Sequence, residues 1–452
     1  MLDLLIAGGE IVDPARGRFE ANLGVERGKI VGIYSAGDKP QAREMLDASG
    51  KVVMPGVMDA HVHPGVYREM RDDLPAITRF AALGGITSMI AFFRPVDPYV
   101  DAVPPAIDQF ASLSHIDFGF TLGITQDHQI NAVADAANKF GIRAFKYYFG
   151  YRGHTERFRA TFPFDDAHLV AIFEALASVP GGALLCAHCE NGEINDHYKT
   201  TLRPRTEHTL VFHDRLNPAF SELDAASHVS FIGAHFGVRV CIVHVSAGST
   251  ARGLGRLPWI TPESAVIETC PHYLCVDTDD QAGLKAVVRP PVRSRDEVEA
   301  LWECVRDGTI MTIGSDNASN DLGEKSADVW EVRLGFGEMG LTLPLMLSEG
   351  YHARGIPLER IAALTSENIA RAHRVYPRKG ALLPGSDADV VIVDLDLEKP
   401  VDPDDLKGRP EGSIYAGRRI KGWPVATVAG GRVIARDGEF LGELGRARYL
   451  LG

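Results

Sequence analysis

The sequence predicts an α/β fold: a (β/α)8 barrel over residues 55–377, with sheet-forming segments at 1–54 and 378–452. Three observations lead there. Short apolar runs of strand length recur eight times in the middle of the chain. Helical stretches fall between them, the signature of parallel βα units. Both ends switch to alternating apolar residues and glycine-rich turns, the pattern of a separate sheet.

The elements follow in order. Residues 1–54 read as short strands, LLIAGGEIVD and then ANLGVERGKIVGIYS. The eight barrel candidates are VVMPGVMDAHVH, GGITSMIAFF, DFGFTLGIT, GIRAFKYYF, GALLCAHC, VRVCIVHVS, SAVIETC and TIMTIGSD. Between them lie LPAITRFAALG, DDAHLVAIFEALASV, FSELDAASHVSFIGAHF and RDEVEALWECVRDG, read as helices. The last segment returns to strands in DADVVIVDLD and RRIKGWPVATVAGGRVIARDGEF. At 452 residues the chain is long for one compact domain and suits a barrel plus a smaller module.

Composition excludes several classes. The net charge is −13, with acids and bases mixed along the chain, which argues against a nucleic-acid or anionic-membrane surface. No apolar run reaches the ~18 residues needed to span a bilayer. The opening MLDLLIAGGEIVD carries an acid at position 3 and no basic stretch, so it does not read as a signal peptide. Six cysteines in so long a chain suggest reduced thiols and a cytoplasmic location. Cys186 and Cys189 form a C-x-x-C inside a strand candidate, with no second pair at zinc-ribbon spacing. They read as ordinary reduced thiols, as do Cys270 and Cys275.

The chemistry-bearing residues sit at strand ends. His61 and His63 stand two apart, so on a strand both imidazoles point the same way. Lys146, His188, His244 and Asp316 fall at the fourth, fifth, sixth and eighth candidates. Neutral imidazole is the commonest metal ligand, whereas a lone histidine is more often a core or surface residue. Active sites of such barrels lie at the C-terminal strand ends, so all six converge on one expected site. Four histidines and an aspartate hold two divalent ions only if something bridges them. A lysine ammonium cannot ligate. By itself Lys146 reads as a buried lysine paired with a carboxylate, or one reaching out to solvent.

The chain resembles the cyclic amidohydrolases: hydantoinases, dihydropyrimidinases, allantoinases and, more distantly, dihydroorotases. The resemblance runs almost the whole length. It is carried by PGVMDAHVHPG, GIRAFKYYFGY, AHCENG, IVHVSAG, ETCPHYL, RPPVRS, TIGSDNAS and KGALLPGSDADVVIVD. It implies a strand-four lysine, Lys146, carbamylated by CO2 and bridging two metals. His61, His63 and Asp316 would complete the shell of one ion, His188 and His244 that of the other. It also implies that the two ends join in one small β-sandwich. Zinc suits such ligands, and manganese, cobalt or iron would fit. A homotetramer is expected by analogy.

The implied reaction opens a cyclic amide or imide ring with a hydroxide shared by the two metals. Asp316 would take its proton and pass it to the leaving nitrogen. Tyr151, five residues beyond Lys146, matches a tyrosine that steadies the tetrahedral oxyanion; the plainer reading is a loop tyrosine. Dihydroorotases carry an arginine soon after the HxH, and here Pro64, Gly65, Val66 and Tyr67 follow. The family's histidine after the strand-eight aspartate is Asn317, which donates a hydrogen bond but shuttles no proton. Arg289 in VVRPPVRS and Arg94 in AFFRPVDP stand where relatives have uncharged residues. Each would either grip an acidic group on the substrate or pair with a nearby carboxylate of the chain. Two further classes stay open: an amidohydrolase acting on another bond, such as an acyclic amide, a lactone or an acidic dihydroorotate-like ring, and a non-catalytic scaffold related to dihydropyrimidinase.

Overall fold

The computed structural model describes residues 1–153, 155–156, 159–205, 207–403 and 412–451. Two sheets organise them. One has eight strands that neighbour each other in chain order: β1 (Val57–Val62), β2 (Ile86–Phe93), β3 (Asp117–Gly123), β4 (Ala144–Tyr147), β5 (Leu184–Ala187), β6 (Arg239–Ile242), β7 (Ala265–Thr269) and β8 (Thr312–Ile313). The pairings from β3 to β8 are parallel. The order and direction are those of the (β/α)8 barrel that the alternation predicts. Every residue of β1, β3 and β5 is buried, as in a parallel sheet covered on both faces.

The predicted helices form where expected, as Met70–Leu83, Asp166–Ala177, Ala219–Phe236 and Arg295–Asp307. Arg295–Asp307 buries Val298, Leu301, Trp302 and Val305, a stripe at helical spacing, and stops at Gly308 with φ 99°. Asp165 caps the second helix by accepting from the His168 backbone N–H at 3.0 Å.

The chain divides into two compact units. The first comprises Met1–Ile90, Phe110–Phe118 and Gly337–Leu450. It contains β1 and the other sheet, of nine strands, which draws on both ends of the chain. Leu2–Asp13 pairs antiparallel with Gly17–Glu26, and parallel with Ala42–Asp47 and then Val52–Pro55. Val52–Pro55 in turn runs antiparallel to Val390–Pro400, with Val53 opposite Ile392. Arg419–Ala429, Arg432–Arg436 and Glu439–Phe440 extend the sheet. Its core mixes residues of the two ends: Leu4, Ile11 and Leu23 with Val390, Ile392 and Val428.

One sequence expectation needs correction here. The run VVMPGVMDAHVH reads as a single strand, but it is two. Val52–Pro55 belongs to the nine-stranded sheet and β1 to the barrel, with Gly56 between them. The Gly56 N–H donates to the Asp389 carbonyl at 2.8 Å, and a Cβ there would lie 2.4 Å from Oγ1 of Thr87. An apolar run carries no mark of which sheet each half will join.

The same unit holds a buried charge cluster. The Lys379 ammonium lies 2.7 Å from Asp117 and 3.1 Å from Asp387, and it also bonds Asp389. Arg448 also pairs with Asp117 and Asp387, at 2.7 and 2.9 Å.

The second unit comprises Ala91–Gln109, Gly119–Phe336 and Leu451–Gly452. It contains β4 to β8 and the helices between them. In register, Lys146 of β4 pairs with Cys186 of β5, which pairs with Cys241 of β6. The six cysteines are free and buried, so the C-x-x-C is no disulfide.

Among the described residues no helix is long and apolar enough to cross a membrane.

Candidate metal centre and active site

In the first unit, β1 carries His61 near its end and His63 follows directly. The pleat turns both rings to one side, 5.2 Å apart and 65° to each other. His61 is fully buried and His63 half-buried. The His61 backbone N–H donates to Oδ1 of Asp59 at 3.0 Å.

In the second unit, Lys146 is 1 % exposed, and its Nζ lies 4.5 Å from the centre of the Phe92 ring. Burial pushes its ammonium below the ordinary lysine range, against the pull of Cys186, Asp316 and Glu268 nearby. A neutral amine is the form that can take up CO2.

His188 follows β5 directly, His244 comes two residues after β6, and Asp316 three after β8. His244 and Asp316 have φ of 45° and 51°, left-handed values that few non-glycine residues adopt. Held strain of this kind concentrates at functional positions. The rings of His188 and His244 meet edge to face, with Nδ1 of His188 2.8 Å from Nε2 of His244. Burial pushes the His188 imidazole down to about 4, so the ring is neutral at ordinary pH.

What orients His188 was not singled out from the sequence. Its Nε2 lies 2.8 Å from Oε2 of Glu190, a carboxylate 1 % exposed. The same Oε2 accepts from Nε of Arg289 at 2.9 Å, while Oε1 accepts from Nδ2 of Asn195 at 3.1 Å. Burial opposes ionisation of Glu190, yet the Arg289 guanidinium beside it holds its carboxyl well below the usual range. Arg289 therefore has a carboxylate of the chain as partner, the second of its two sequence readings. Its Nη2 also donates to the Gly150 carbonyl at 3.1 Å.

Tyr151 ends the short turn Phe149–Tyr151 after β4 and is 7 % exposed. Its ring packs 5.0 Å from that of His188, and the Arg289 guanidinium carbon sits 4.6 Å from its centre. Arg94 is exposed and hydrogen-bonds the phenol of Tyr148. Asn317 is buried, its backbone N–H donating to Oγ of Ser315 at 3.1 Å.

Lys146, His188, His244, Asp316, Tyr151 and Arg289 thus gather in the second unit, and the His61/His63 pair is formed in the first. Glu190 and Gly150 are the neighbours the sequence reading passed over. The available signal was AHCENG: a residue two beyond a strand-end histidine shares its side, and a ligating histidine commonly gives its second nitrogen to a carboxylate.

The amidohydrolase family model matches residues 52–434, spanning the barrel and much of the nine-stranded sheet. The chain belongs to the amidohydrolase family. This amidohydrolase is 32% identical to an allantoinase of Rubrobacter xylanophilus, over 98% of this chain and 97% of the relative. It is 30% identical to an L-hydantoinase of Paenarthrobacter aurescens, over 100% and 98% of the two chains. Among solved structures it is similar to the L-hydantoinase (dihydropyrimidinase) from Arthrobacter aurescens. That match has a TM-score of 0.91 at 28% identity and covers 100% of both chains.

Proposed function

We propose that this amidohydrolase opens a hydantoin-, dihydropyrimidine- or allantoin-like ring by hydrolysing a cyclic amide C–N bond at a centre of two divalent ions. The observation that carries the reading is the convergence of His188 Nδ1 and His244 Nε2 to 2.8 Å, with the other nitrogen of His188 on Glu190. That donor set fits a divalent ion: two imidazole nitrogens lie side by side, and the other nitrogen of His188 rests on a carboxylate. The resemblance to cyclic amidohydrolases implies His61, His63 and Asp316 as the donors for the second ion. Lys146, buried and with its ammonium disfavoured there, would bridge as its carbamate. Its amine attacks CO2, the new N–C bond forms and one proton leaves. The kinship with allantoinases and hydantoinases supports the choice of ring.

When bound, the ions supply Lewis acidity and bring a water toward neutral pKa. The chain does the rest. The Asp316 carboxylate accepts the water's proton and returns it to the ring nitrogen as the C–N bond breaks. The phenol of Tyr151 donates to the oxygen that gains charge in the tetrahedral state. Arg94 and Asn317 are the proposed contacts to the ring and its substituents. Zinc is the proposed metal, since His and carboxylate ligands suit it.

The test combines elemental analysis, intact mass and a ring-opening screen on hydantoin, dihydrouracil, allantoin and dihydroorotate. Expected are two ions per chain, one added CO2 at Lys146, and turnover of one of the first three rings. One ion or none after purification with metal and bicarbonate, or an unmodified Lys146, overturns the two-ion reading. Turnover of dihydroorotate alone overturns the choice of ring.

A further inference from the structure

We propose that Arg289 is a positioning residue that holds His188 in place through Glu190. The proposal rests on the two-ion reading above and adds to it a residue outside the ligand set. The single oxygen Oε2 of Glu190 serves two partners, Nε2 of His188 at 2.8 Å and Nε of Arg289 at 2.9 Å. Glu190 is 1 % exposed, and a carboxylate so buried persists only with a counter-charge and satisfied oxygens. Arg289 supplies the charge and Asn195 fills the second oxygen.

The consequence for His188 is geometric. With a carboxylate fixed behind Nε2, that nitrogen carries the proton and Nδ1 offers its lone pair to the ion. A mobile Glu190 would leave the ring free to rotate or to exchange tautomers. Arg289 suits the task because a guanidinium reaches several partners in one plane. It donates to Glu190 and to the Gly150 carbonyl, and its face covers the Tyr151 ring. One side chain thereby holds the residue behind His188 and the turn that presents Tyr151. A lysine could meet only part of this, as a point charge without the planar fork.

These contacts also bear on the acidic-substrate reading. The Arg289 side chain is 11% exposed and directs its bonds inward, to groups of the chain itself.

The test is the affinity of each ion in the full-length protein. Parent, Arg289→Gln, Arg289→Lys, Glu190→Gln and His188→Ala are dialysed against a series of metal buffers, and bound metal is counted by elemental analysis. Outer partners of metal ligands typically contribute roughly 10- to 100-fold in affinity. Arg289→Gln and Glu190→Gln should therefore loosen one ion by about that factor and leave the other at parental affinity. Arg289→Lys should fall between parent and Arg289→Gln, and His188→Ala should release the same ion. Circular dichroism on each sample establishes that the fold is kept, and Glu190→Gln, nearly isosteric, gives the answer should Arg289→Gln fail to fold. Parental affinity for both ions in either glutamine variant overturns the proposal, as does equal loosening of both. Two ions retained by His188→Ala would instead overturn the two-ion assignment itself, and the positioning role with it.

Discussion

Gly150 leaves His188 just enough room. A Cβ at position 150 would lie 2.5 Å from Cδ2 and 2.7 Å from Nε2 of His188, distances that real Cβ atoms do not reach. The Gly150 N–H also donates to the His188 carbonyl at 3.3 Å, so the turn after β4 and the end of β5 are tied where the clash would fall.

Gly150→Ala should therefore displace the His188 ring. Overpacking a tight site costs about 1–3 kcal/mol. The expected outcome is a modest fall in thermal stability with a much larger loss of kcat/KM. A variant with parental turnover would mean that the ring shifts without consequence and that its position is not critical.

Asp316→Asn should abolish most turnover. The amide keeps the size of the carboxylate but accepts no proton. Losing a general base costs about 10²–10⁴-fold in kcat. Steady-state kinetics on the best ring substrate decide it, and a variant keeping more than about a tenth of the parental kcat removes Asp316 from the proton path.

Tyr151→Phe should lower kcat/KM by roughly 10²–10³-fold, the usual loss for one oxyanion donor, with bound metal unchanged. The ring packing against His188 survives in the phenylalanine, so the hydroxyl alone is tested. Unchanged kinetics would make Tyr151 a packing residue.

Lys379→Met should strongly destabilise the first unit. It strips the fully buried cation from a group of carboxylates, Asp117, Asp387 and Asp389. Breaking such a cluster from one side costs about 3–5 kcal/mol. Burial opposes ionisation of Asp117 and Asp387, yet Lys379 holds both below the usual range. Their folded pKa values are depressed. Their contribution is thus full above the unfolded value of about 3.9 and disappears as pH falls through the depressed folded values. Urea melts at neutral and acid pH should show the variant's deficit at neutral pH shrinking on the acid side. A deficit absent at neutral pH would refute the assignment.

Much of the architecture was legible because its signal is local. Each barrel strand is a short apolar run, and β5 alone announces itself in ALLCAHC. The candidate ligands could be named from the chain because they cluster at the ends of those runs. What escaped depends on distance. Arg289 and Glu190 stand 99 positions apart, and neither run of sequence marks the other as its partner. The room that His188 needs from Gly150 is a matter of ångströms, invisible in a glycine that could equally belong to a turn. The break at Gly56 escaped because both halves of the run are equally apolar.

The pairing of the two chain ends has a consequence for biosynthesis. Lys51 bonds Asp394, 343 positions later, and Val53 lies opposite Ile392. During translation Val52–Pro55 emerges long before Val390–Pro400, and that side of the strand stays uncovered in between. Until then the strand offers an open edge, the kind that recruits a neighbouring chain. A chain ending before Val390 would keep this edge uncovered, open to pairing with a neighbouring chain.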